Sequence, residues 1–239
     1  MKIENKEINI DSAQIKKMFE AGSHYAYSKS KRHPSVKPFI FGAKKGTEIF
    51  DLEKTAVQLE DAKNFIKKVL ESNATKNALF VGSKNEIKSL LRDVAENNDL
   101  PFVTNRWVGG TLTNFEIIRK RVEKFEKLNS DKEKGDLLKY TKKERLNIDK
   151  EIERLERKFG GIVAMKELPV FVFVIDPKSE KVAVEEAKQR NIPIIALANS
   201  DCNIKEIDFP ISANDSSKAS VQFFLNEIVS AYKEARKTK

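Results

Sequence analysis

Short apolar runs along the chain predict the strands of a sheet. Residues 78–81, 170–175 and 193–198 are continuous apolar runs, which are typical of strands buried on both faces. Shorter runs at residues 101–103 and 209–211 predict two further strands, the second of them at an edge of the sheet.

Amphipathic stretches separate these runs. Apolar residues recur every three or four positions in residues 51–71, which predicts a long helix. Similar patterns predict helices over residues 11–21, from Ser83 to about Glu96, from Pro177 to about Gln189, and from Ser216 or Ser217 towards the end of the chain. Strands that alternate with helices predict an α/β fold with a parallel sheet covered on both faces, a three-layer arrangement of the Rossmann or flavodoxin type.

The pattern changes in residues 112–161. Two charged helices are predicted there, each with a narrow apolar seam, and a Thr-x-x-Glu capping box at Thr141 opens the second helix. A polar break is predicted at residues 129–135, and Gly160-Gly161 ends the pair. We therefore predict an antiparallel coiled-coil hairpin inserted into a globular domain formed by residues 1–111 and 162–239. The seam residues are Phe115, Ile118, Val122 and Phe125, then Ile148, Ile152, Leu155 and Phe159.

Residues 22–50 predict a basic loop followed by a β-hairpin. No acidic residue occurs between Glu20 and Glu48, and two short strands flank a turn at residues 43–46. Cations interleaved with Tyr and His in a loop broken by Pro favour contact with RNA phosphates and bases; a solvated basic loop is the alternative. The charged residues and the neighbouring histidine are Lys29, Lys31, Arg32, His33, Lys37, Lys44 and Lys45.

Residues 105–115 contain the single Trp of the chain, beside an Arg and a Gly pair. Arg106 and Trp107 offer a bidentate phosphate ligand and a stacking plane. Thr111, Thr113 or Asn114 could cap the following helix, whose first N–H groups would then face an anion. The alternative is a buried Trp beside a tight turn that starts a helix.

Composition and charge favour a polyanionic partner. The chain has 239 residues, is 40% hydrophobic and 34% charged, and carries a net charge of +9 with a pI near 9.4. A single cysteine excludes an internal disulfide framework. One cysteine and two histidines in the whole sequence are too few for a four-ligand Cys/His zinc site, so neither a metal nor a cofactor is predicted. Because residues 1–7 lack an apolar signal core and no run is long enough to span a membrane, we expect a cytoplasmic location.

Potential catalytic residues are few. Asp176 and Asp201 follow predicted strands, where a catalytic carboxylate could lie, but both also suit a turn or a helix cap. No base is evident near Cys202, and His24 and His33 flank the basic loop, where hydrogen bonding or stacking is the simpler role. Neither a dinucleotide-binding Gly-x-Gly-x-x-Gly nor a Gly-x-x-x-x-Gly-Lys-Ser/Thr loop occurs. The sequence thus predicts a protein without enzymatic activity.

The stretch Arg106-Trp107-Val108-Gly109-Gly110-Thr111-Leu112-Thr113-Asn114-Phe115 resembles the signature of the ribosomal protein S2 family. Further similarities to that family run nearly end to end, including residues 17–24, 38–42, 49–55 and 174–177. The resemblance implies a three-layer parallel sheet with a coiled-coil insertion like that of the bacterial branch, and no enzymatic activity. It also implies binding to small-subunit ribosomal RNA and support for the large mRNA-binding ribosomal protein.

One segment departs from the family pattern. The family typically has Gly-x-His-Phe-Gly-His, whereas this chain has Tyr27 in place of the second histidine. The usual Asn-Pro nearby is His33-Pro34. The resemblance therefore implies no role that rests on both histidines, whereas stacking and phosphate contact remain available.

The leading hypothesis is a non-enzymatic component of the small ribosomal subunit that contacts RNA and neighbouring ribosomal proteins, without binding DNA or a membrane and without forming a homo-oligomer. One alternative is a small-molecule enzyme or nucleotide-binding protein that uses Asp176 and Asp201; another is a coiled-coil adaptor that binds only proteins. The predicted RNA-binding residues are Lys29, Lys31, Arg32, His33, Lys37, Lys44, Lys45, Arg106, Trp107, Thr113, Asn114, Arg119, Lys120 and Arg121.

Overall fold

The computed structural model describes residues 12–72 and 77–237. The first helix, α1 (Ser12–Glu20), ends as predicted at Gly22, whose φ of +72° is a left-handed conformation suited to glycine. The Ser23 N–H donates to the Met18 carbonyl at 3.0 Å and so satisfies one of the last carbonyls of α1. Asp11, the first residue of the predicted helix, lies outside the described residues.

A small antiparallel sheet follows α1. Its strands are β1 (Tyr25–Ser28), β2 (Ile40–Lys44) and β3 (Thr47–Phe50), in the order β1-β3-β2. Lys44 pairs with Thr47, so the loop between β2 and β3 is the two residues Lys45 and Gly46, both with positive φ (51° and 83°). This is the backbone pattern of a type I′ hairpin, which matches the twist of the two strands. The predicted hairpin, with its lysines at the tip, is confirmed.

The main sheet has five strands and is parallel, as predicted. The strands are β4 (Ala78–Val81), β5 (Phe102–Val103), β6 (Phe171–Ile175), β7 (Ile194–Ala198) and β8 (Phe209–Ser212), in the order β5-β4-β6-β7-β8. Every residue of β4, β6 and β7 is buried, which explains why these segments are continuously apolar. The short β8 is an edge strand.

Helices flank this sheet, so the fold is α/β and consistent with a Rossmann-like arrangement. The helices are α2 (Leu52–Ser72), α3 (Lys88–Glu96), α6 (Lys181–Gln189) and α7 (Lys218–Lys237). Helix α3 begins later than predicted. The Ser83 N–H donates to the Glu180 carboxylate at 2.9 Å, and residues 84–87 form a turn before α3 begins.

Two further helices lie between β5 and β6: α4 (Phe115–Glu133) and α5 (Lys142–Phe159). The predicted capping box is confirmed, since the Thr141 hydroxyl accepts from the Glu144 N–H and the Glu144 carboxylate accepts from the Thr141 N–H. The predicted break at residues 129–135 is partly wrong, because α4 continues to Glu133 and the left-handed residue is Gly135. Ion pairs Lys124–Glu151 and Lys132–Asp149 link the two helices, each at 2.6 Å. The residues of the two seams that are buried are Ile118, Val122 and Phe125 on α4, and Ile152, Leu155 and Phe159 on α5.

The described chain forms two compact units. One comprises residues 12–72, 175–178 and 195–237, and the other comprises residues 77–174 and 179–194. In the first unit the loop after β1 packs on apolar residues around β7, so that Ala26, Val36 and Phe50 share a core cluster with Ala198 and Cys202. In the second unit the chain after α5 packs tightly on β5, because a Cβ at Gly161 would lie 2.3 Å from the Phe102 carbonyl oxygen.

Candidate nucleic-acid interface

The turn at residues 107–113, which we call the Trp107 turn, is closed around a carboxylate from α6. The Trp107 side chain is only 9% exposed. Glu186 Oε1 accepts from Trp107 Nε1 (3.0 Å) and the Gly110 N–H (2.7 Å). Its Oε2 accepts from the N–H groups of Leu112 (2.9 Å) and Thr113 (3.1 Å) and from the Thr113 hydroxyl (3.2 Å). Five donors therefore converge on one buried side chain.

These hydrogen bonds keep Glu186 charged. Burial alone would raise the pKa of Glu186, but the hydrogen bonds from Trp107, Leu112, Gly110 and Thr113 outweigh it and hold the pKa below its ordinary value. Gly110 has a φ of +90°, which brings its N–H into the ring of donors at a backbone conformation that glycine favours. The anion expected at this turn is thus supplied by the protein itself.

Arg190, the residue directly after α6, also holds the Trp107 turn. Its guanidinium donates to the Leu112 carbonyl at 3.1 Å and also to the Thr113 carbonyl. Neither Glu186 nor Arg190 was among the predicted site residues. The position of Glu186 in its helix could have identified it. Glu186 lies on the face of α6 that carries the buried Ala183 and Ala187, and a carboxylate buried there needs hydrogen-bond partners.

The structure changes the roles open to the predicted residues of this turn. The buried Trp107 ring is not a free stacking surface, so its role here is to anchor the turn. Thr113 donates to Glu186, and Asn114 precedes α4 without a capping hydrogen bond from its side chain. Arg106 is exposed, and its side chain lines a cleft of about 520 Å³ beside Arg157 and Lys158.

Further cations extend this basic surface along the base of α4 and α5. A neighbouring cleft of about 380 Å³ is lined by Arg121, Arg154 and Lys158. No ion pair involves Arg106, Arg121, Arg154, Arg157 or Lys158 within the described ranges 12–72 and 77–237. We call these five residues the basic cluster. Three of them, Arg154, Arg157 and Lys158, were not predicted, because their positions in a charged helix look like an ordinary solvated face.

The three predicted residues on α4, Arg119, Lys120 and Arg121, lie in different environments. Arg119 is held internally, since it pairs with Glu123 (3.5 Å) and Glu126 (3.3 Å) and donates to the Val163 carbonyl at 3.1 Å. Lys120 and Arg121 are exposed. Of the three, only Arg121 lines the clefts of the basic cluster.

In the N-terminal region, Arg32 and His33 have structural partners. Arg32 forms an ion pair with Glu48 at 2.6 Å, and Glu48 is 2% exposed. Chain folding therefore brings an acid to a loop that contains none in sequence. The His33 ring accepts from the Ser35 N–H at 3.2 Å and caps the short helical turn that follows.

The lysines of this region remain exposed and form no ion pair among the described residues; they are Lys29, Lys31, Lys37, Lys44 and Lys45. Lys31 lies over the Tyr27 ring at 5.4 Å, a cation–π contact. Lys44 and Lys45 lie at the hairpin and line a cleft of about 630 Å³. Three aromatic rings in that cleft face solvent: Phe19 is 59% exposed, Tyr25 53% and Phe41 80%. We call this the aromatic cleft.

His24 belongs to the wall of the aromatic cleft. Its ring stacks on Phe19, with centroids 4.4 Å apart, and contacts Tyr25 at 4.1 Å. Burial lowers the pKa of His24, so the ring is neutral at pH 7. The prediction of stacking is confirmed for this histidine.

The residues considered for catalysis take turn and core positions. Asp176 is buried and its carboxylate accepts from the Lys178 N–H at 3.2 Å, while Asp201 pairs with the Lys178 ammonium at 2.8 Å. Burial and the neighbouring carboxylates raise the pKa of the Cys202 thiol, so it stays protonated and unreactive. Among the described residues no group of three or more His, Cys, Asp or Glu side chains could hold a metal ion. None of the helices in that part of the chain is long and apolar enough to cross a membrane.

Comparison with known proteins gives a consistent result. The family model described as "Ribosomal protein S2" matches residues 18–235. The chain is 36% identical over 225 residues to the "Small ribosomal subunit protein uS2" of Dehalococcoides mccartyi strain BAV1, covering 94% of this chain and 91% of the relative. The protein of the same name from strain CBDB1 matches with the same identity and coverage. This chain belongs to the ribosomal protein S2 family, whose members are structural, non-enzymatic proteins of the small ribosomal subunit.

Proposed function

We propose that this protein binds small-subunit ribosomal RNA mainly through the basic cluster. The observation that carries the proposal is the set of five cations around two adjoining clefts, none of which forms an ion pair within the described ranges, although Lys124 and, more weakly, the charge of Arg154 lower the pKa of the nearby Glu151. Unpaired guanidinium groups are suited to bidentate contact with phosphate oxygens. Arg106 and Arg121 are the predicted members of this surface, with Lys120 nearby on α4.

A second RNA contact is proposed at the exposed lysines of the N-terminal region. Lys29, Lys31 and Lys37 lie on the loop, and Lys44 and Lys45 on the hairpin. Arg32 is left out, because its charge is already neutralised by Glu48. His33, Thr113, Asn114, Arg119 and Trp107 are proposed to shape the binding surfaces and not to supply the main phosphate contacts.

The test is the salt dependence of binding to small-subunit ribosomal RNA. Each phosphate contact that is lost reduces the slope of log K against log salt by about one. We expect the double variant Arg154→Gln/Arg157→Gln to weaken binding and to reduce the slope by about two. The matched control Lys178→Gln/Lys181→Gln removes the same charge from two lysines that already have acidic partners. Equal losses in both variants would show that net charge, and not the basic cluster, drives binding.

We further propose that the aromatic cleft supports docking of the large mRNA-binding ribosomal protein. Three exposed rings favour an apolar segment, and the adjacent Lys44 and Lys45 favour acidic side chains on it. Solvent-exposed aromatic rings next to cations are common anchors of protein interfaces.

Binding of the purified mRNA-binding protein to the full chain tests this docking site. We expect Phe41→Ala/Tyr25→Ala to weaken that binding at least tenfold, as loss of anchor residues does. The control Leu146→Ala/Val182→Ala removes two other exposed apolar side chains (54% and 50%) that lie outside the aromatic cleft. Unchanged binding of the Phe41 variant would contradict the assignment.

The helices α4 and α5 are proposed to form the antiparallel coiled-coil insertion of residues 112–161. The buried seams and the pairs Lys124–Glu151 and Lys132–Asp149, whose numbers rise on one helix as they fall on the other, support this arrangement. As a ribosomal component, the protein is proposed to act in the cytoplasm as a single copy, without a cofactor and without binding DNA or a membrane.

A further inference from the structure

The Trp107 turn has the form of an anion site that is already filled. Main-chain N–H groups and two side-chain donors point to a single location, as in turns that bind phosphate. Glu186 occupies that location with five hydrogen bonds of 2.7–3.2 Å. These five donors are therefore committed to the protein before any RNA is present.

The acceptors of the turn are committed as well. Arg190 donates to the carbonyls of Leu112 and Thr113, one helical turn beyond Glu186. Glu186 on α6 and Arg190 directly after it hold the turn together. The carboxylate accepts from N–H groups of the turn, and the guanidinium donates to its carbonyl groups. The conformation of the turn thus depends on this pair of side chains.

The held turn ends next to the basic cluster. Arg106 directly precedes Trp107, whose indole N–H is bound to Glu186. On the other side, the Asn105 side chain donates to the Arg157 carbonyl at 2.8 Å. Arg106 is consequently fixed between two anchored neighbours, beside Arg157 and Lys158.

We propose that Glu186, supported by Arg190, is a positioning residue for RNA recognition: its carboxylate takes the place of a phosphate inside the Trp107 turn and so presents Arg106 to the ribosomal RNA. This inference rests on the proposed RNA-binding function. It assigns phosphate binding to the arginine side chains and not to the backbone of the turn.

A double-mutant cycle tests the coupling between Glu186 and Arg106. Glu186→Gln keeps the shape but turns one accepting oxygen into a donor that faces N–H groups. In the unmodified background, Arg106→Gln is expected to weaken RNA binding on the order of tenfold, the size of one charge-assisted contact. In the Glu186→Gln background the same substitution should cost less than about twofold, because Arg106 is no longer in place.

The matched control cycle pairs Glu186→Gln with Lys44→Gln, a cation on the hairpin, and should be additive. Trp107, the only Trp in the chain, reports on the turn directly, and its emission should shift to the red in Glu186→Gln. If Glu186→Gln fails to fold, Arg190→Lys replaces it in the same cycle. This substitution keeps the positive charge and removes the guanidinium that donates to two carbonyls.

The outcomes separate this inference from the proposed function. An Arg106→Gln effect of equal size in both backgrounds overturns the positioning role and leaves RNA binding intact. Failure of the unmodified chain to bind small-subunit RNA in a salt-dependent way overturns the proposed function itself. Coupling to Arg106 together with additivity to Lys44 supports the inference.

Discussion

The N-terminal region and the Trp107 turn carry positive charge in different ways. In residues 22–50 most cations extend into solvent from a loop and a type I′ hairpin, and among these described residues only Arg32 forms an ion pair. In the Trp107 turn the Trp107 indole, several N–H groups and two carbonyls are bound to Glu186 and Arg190, and cations without an ion pair lie beside it.

The residues that make the motif recognisable in the sequence are mostly not the residues that are available to a polyanion. Trp107 and the Gly pair make the turn easy to recognise in the sequence, yet the indole is buried and hydrogen-bonded internally. The less distinctive Arg154, Arg157 and Lys158 are the groups that remain available to a polyanion. A motif can therefore define the shape of a surface while most of the available cations of that surface, all but Arg106 in this case, lie outside the motif.

The largest expected effect is on the packing next to the Trp107 turn. Gly161→Ala places a Cβ 2.3 Å from the backbone oxygen of Phe102, which cannot move aside as a flexible side chain could. We expect a loss of about 3 kcal/mol in the free energy of unfolding, at the upper end for overpacking. Chemical denaturation measures it, with Gly42→Ala in β2 as the control, since nothing lies within 4 Å of a Cβ there. Similar values for both variants would contradict the close packing.

The next effect tests whether Arg32 differs from the lysines around it. Arg32→Gln leaves the buried Glu48 carboxylate without its cation, and Glu48 Oε2 has no hydrogen-bond partner among the described residues. We expect a loss of about 2 kcal/mol in stability. Lys31→Gln, at an exposed neighbour, should change stability by less than about 0.5 kcal/mol. If Arg32→Gln leaves the free energy of unfolding unchanged, the ion pair with Glu48 does not stabilise the fold, and Arg32 would be grouped with the exposed lysines.

Acid should affect the Trp107 turn through Glu186. Because the folded-state pKa of Glu186 lies below its unfolded value of about 4.3, the stabilisation is complete above that pH and is lost as the pH falls through the lower folded-state pKa. Unfolding free energies measured between pH 6 and pH 3 should fall more steeply for the unmodified chain than for Glu186→Gln. Parallel curves would show that Glu186 contributes no pH-dependent stability.

The smallest stability effect is expected at the hairpin. Lys44→Gln/Lys45→Gln should change the free energy of unfolding by less than about 0.5 kcal/mol, because both side chains are exposed and have no ion-pair partner among the described residues. The same variant should reduce the salt slope of RNA binding by about two. Substantial destabilisation would mean that the lysines serve the fold; an unchanged slope would remove them from the interface.

Much of the fold could be predicted because it is recorded in local patterns. The strands at residues 78–81 and 194–198 are buried on both faces and are therefore apolar throughout. Gly22 and the capping box at Thr141 mark helix ends through their own backbone groups. The late start of α3 was missed, because Glu180, distant in sequence, binds the Ser83 N–H.

The site was harder to predict for the same physical reason. Arg32 and Glu48 are 16 residues apart, and Trp107 and Glu186 are 79 residues apart, so neither pairing is visible in the local pattern. Whether a cation is free for a ligand depends on which acids the fold brings to it. The charge pattern of the sequence could locate the basic regions, but it could not divide their cations into paired and unpaired groups.

The internal carboxylate of the Trp107 turn has a thermodynamic consequence for assembly. Since Glu186 and Arg190 hold the turn in one conformation, the RNA binding proposed there would require little additional ordering of the backbone. Association at this surface should therefore resemble rigid-body docking, with a small heat-capacity change, and not coupled folding and binding. The turn would keep its conformation on binding, so any conformational change during assembly at this surface would occur in the ribosomal RNA.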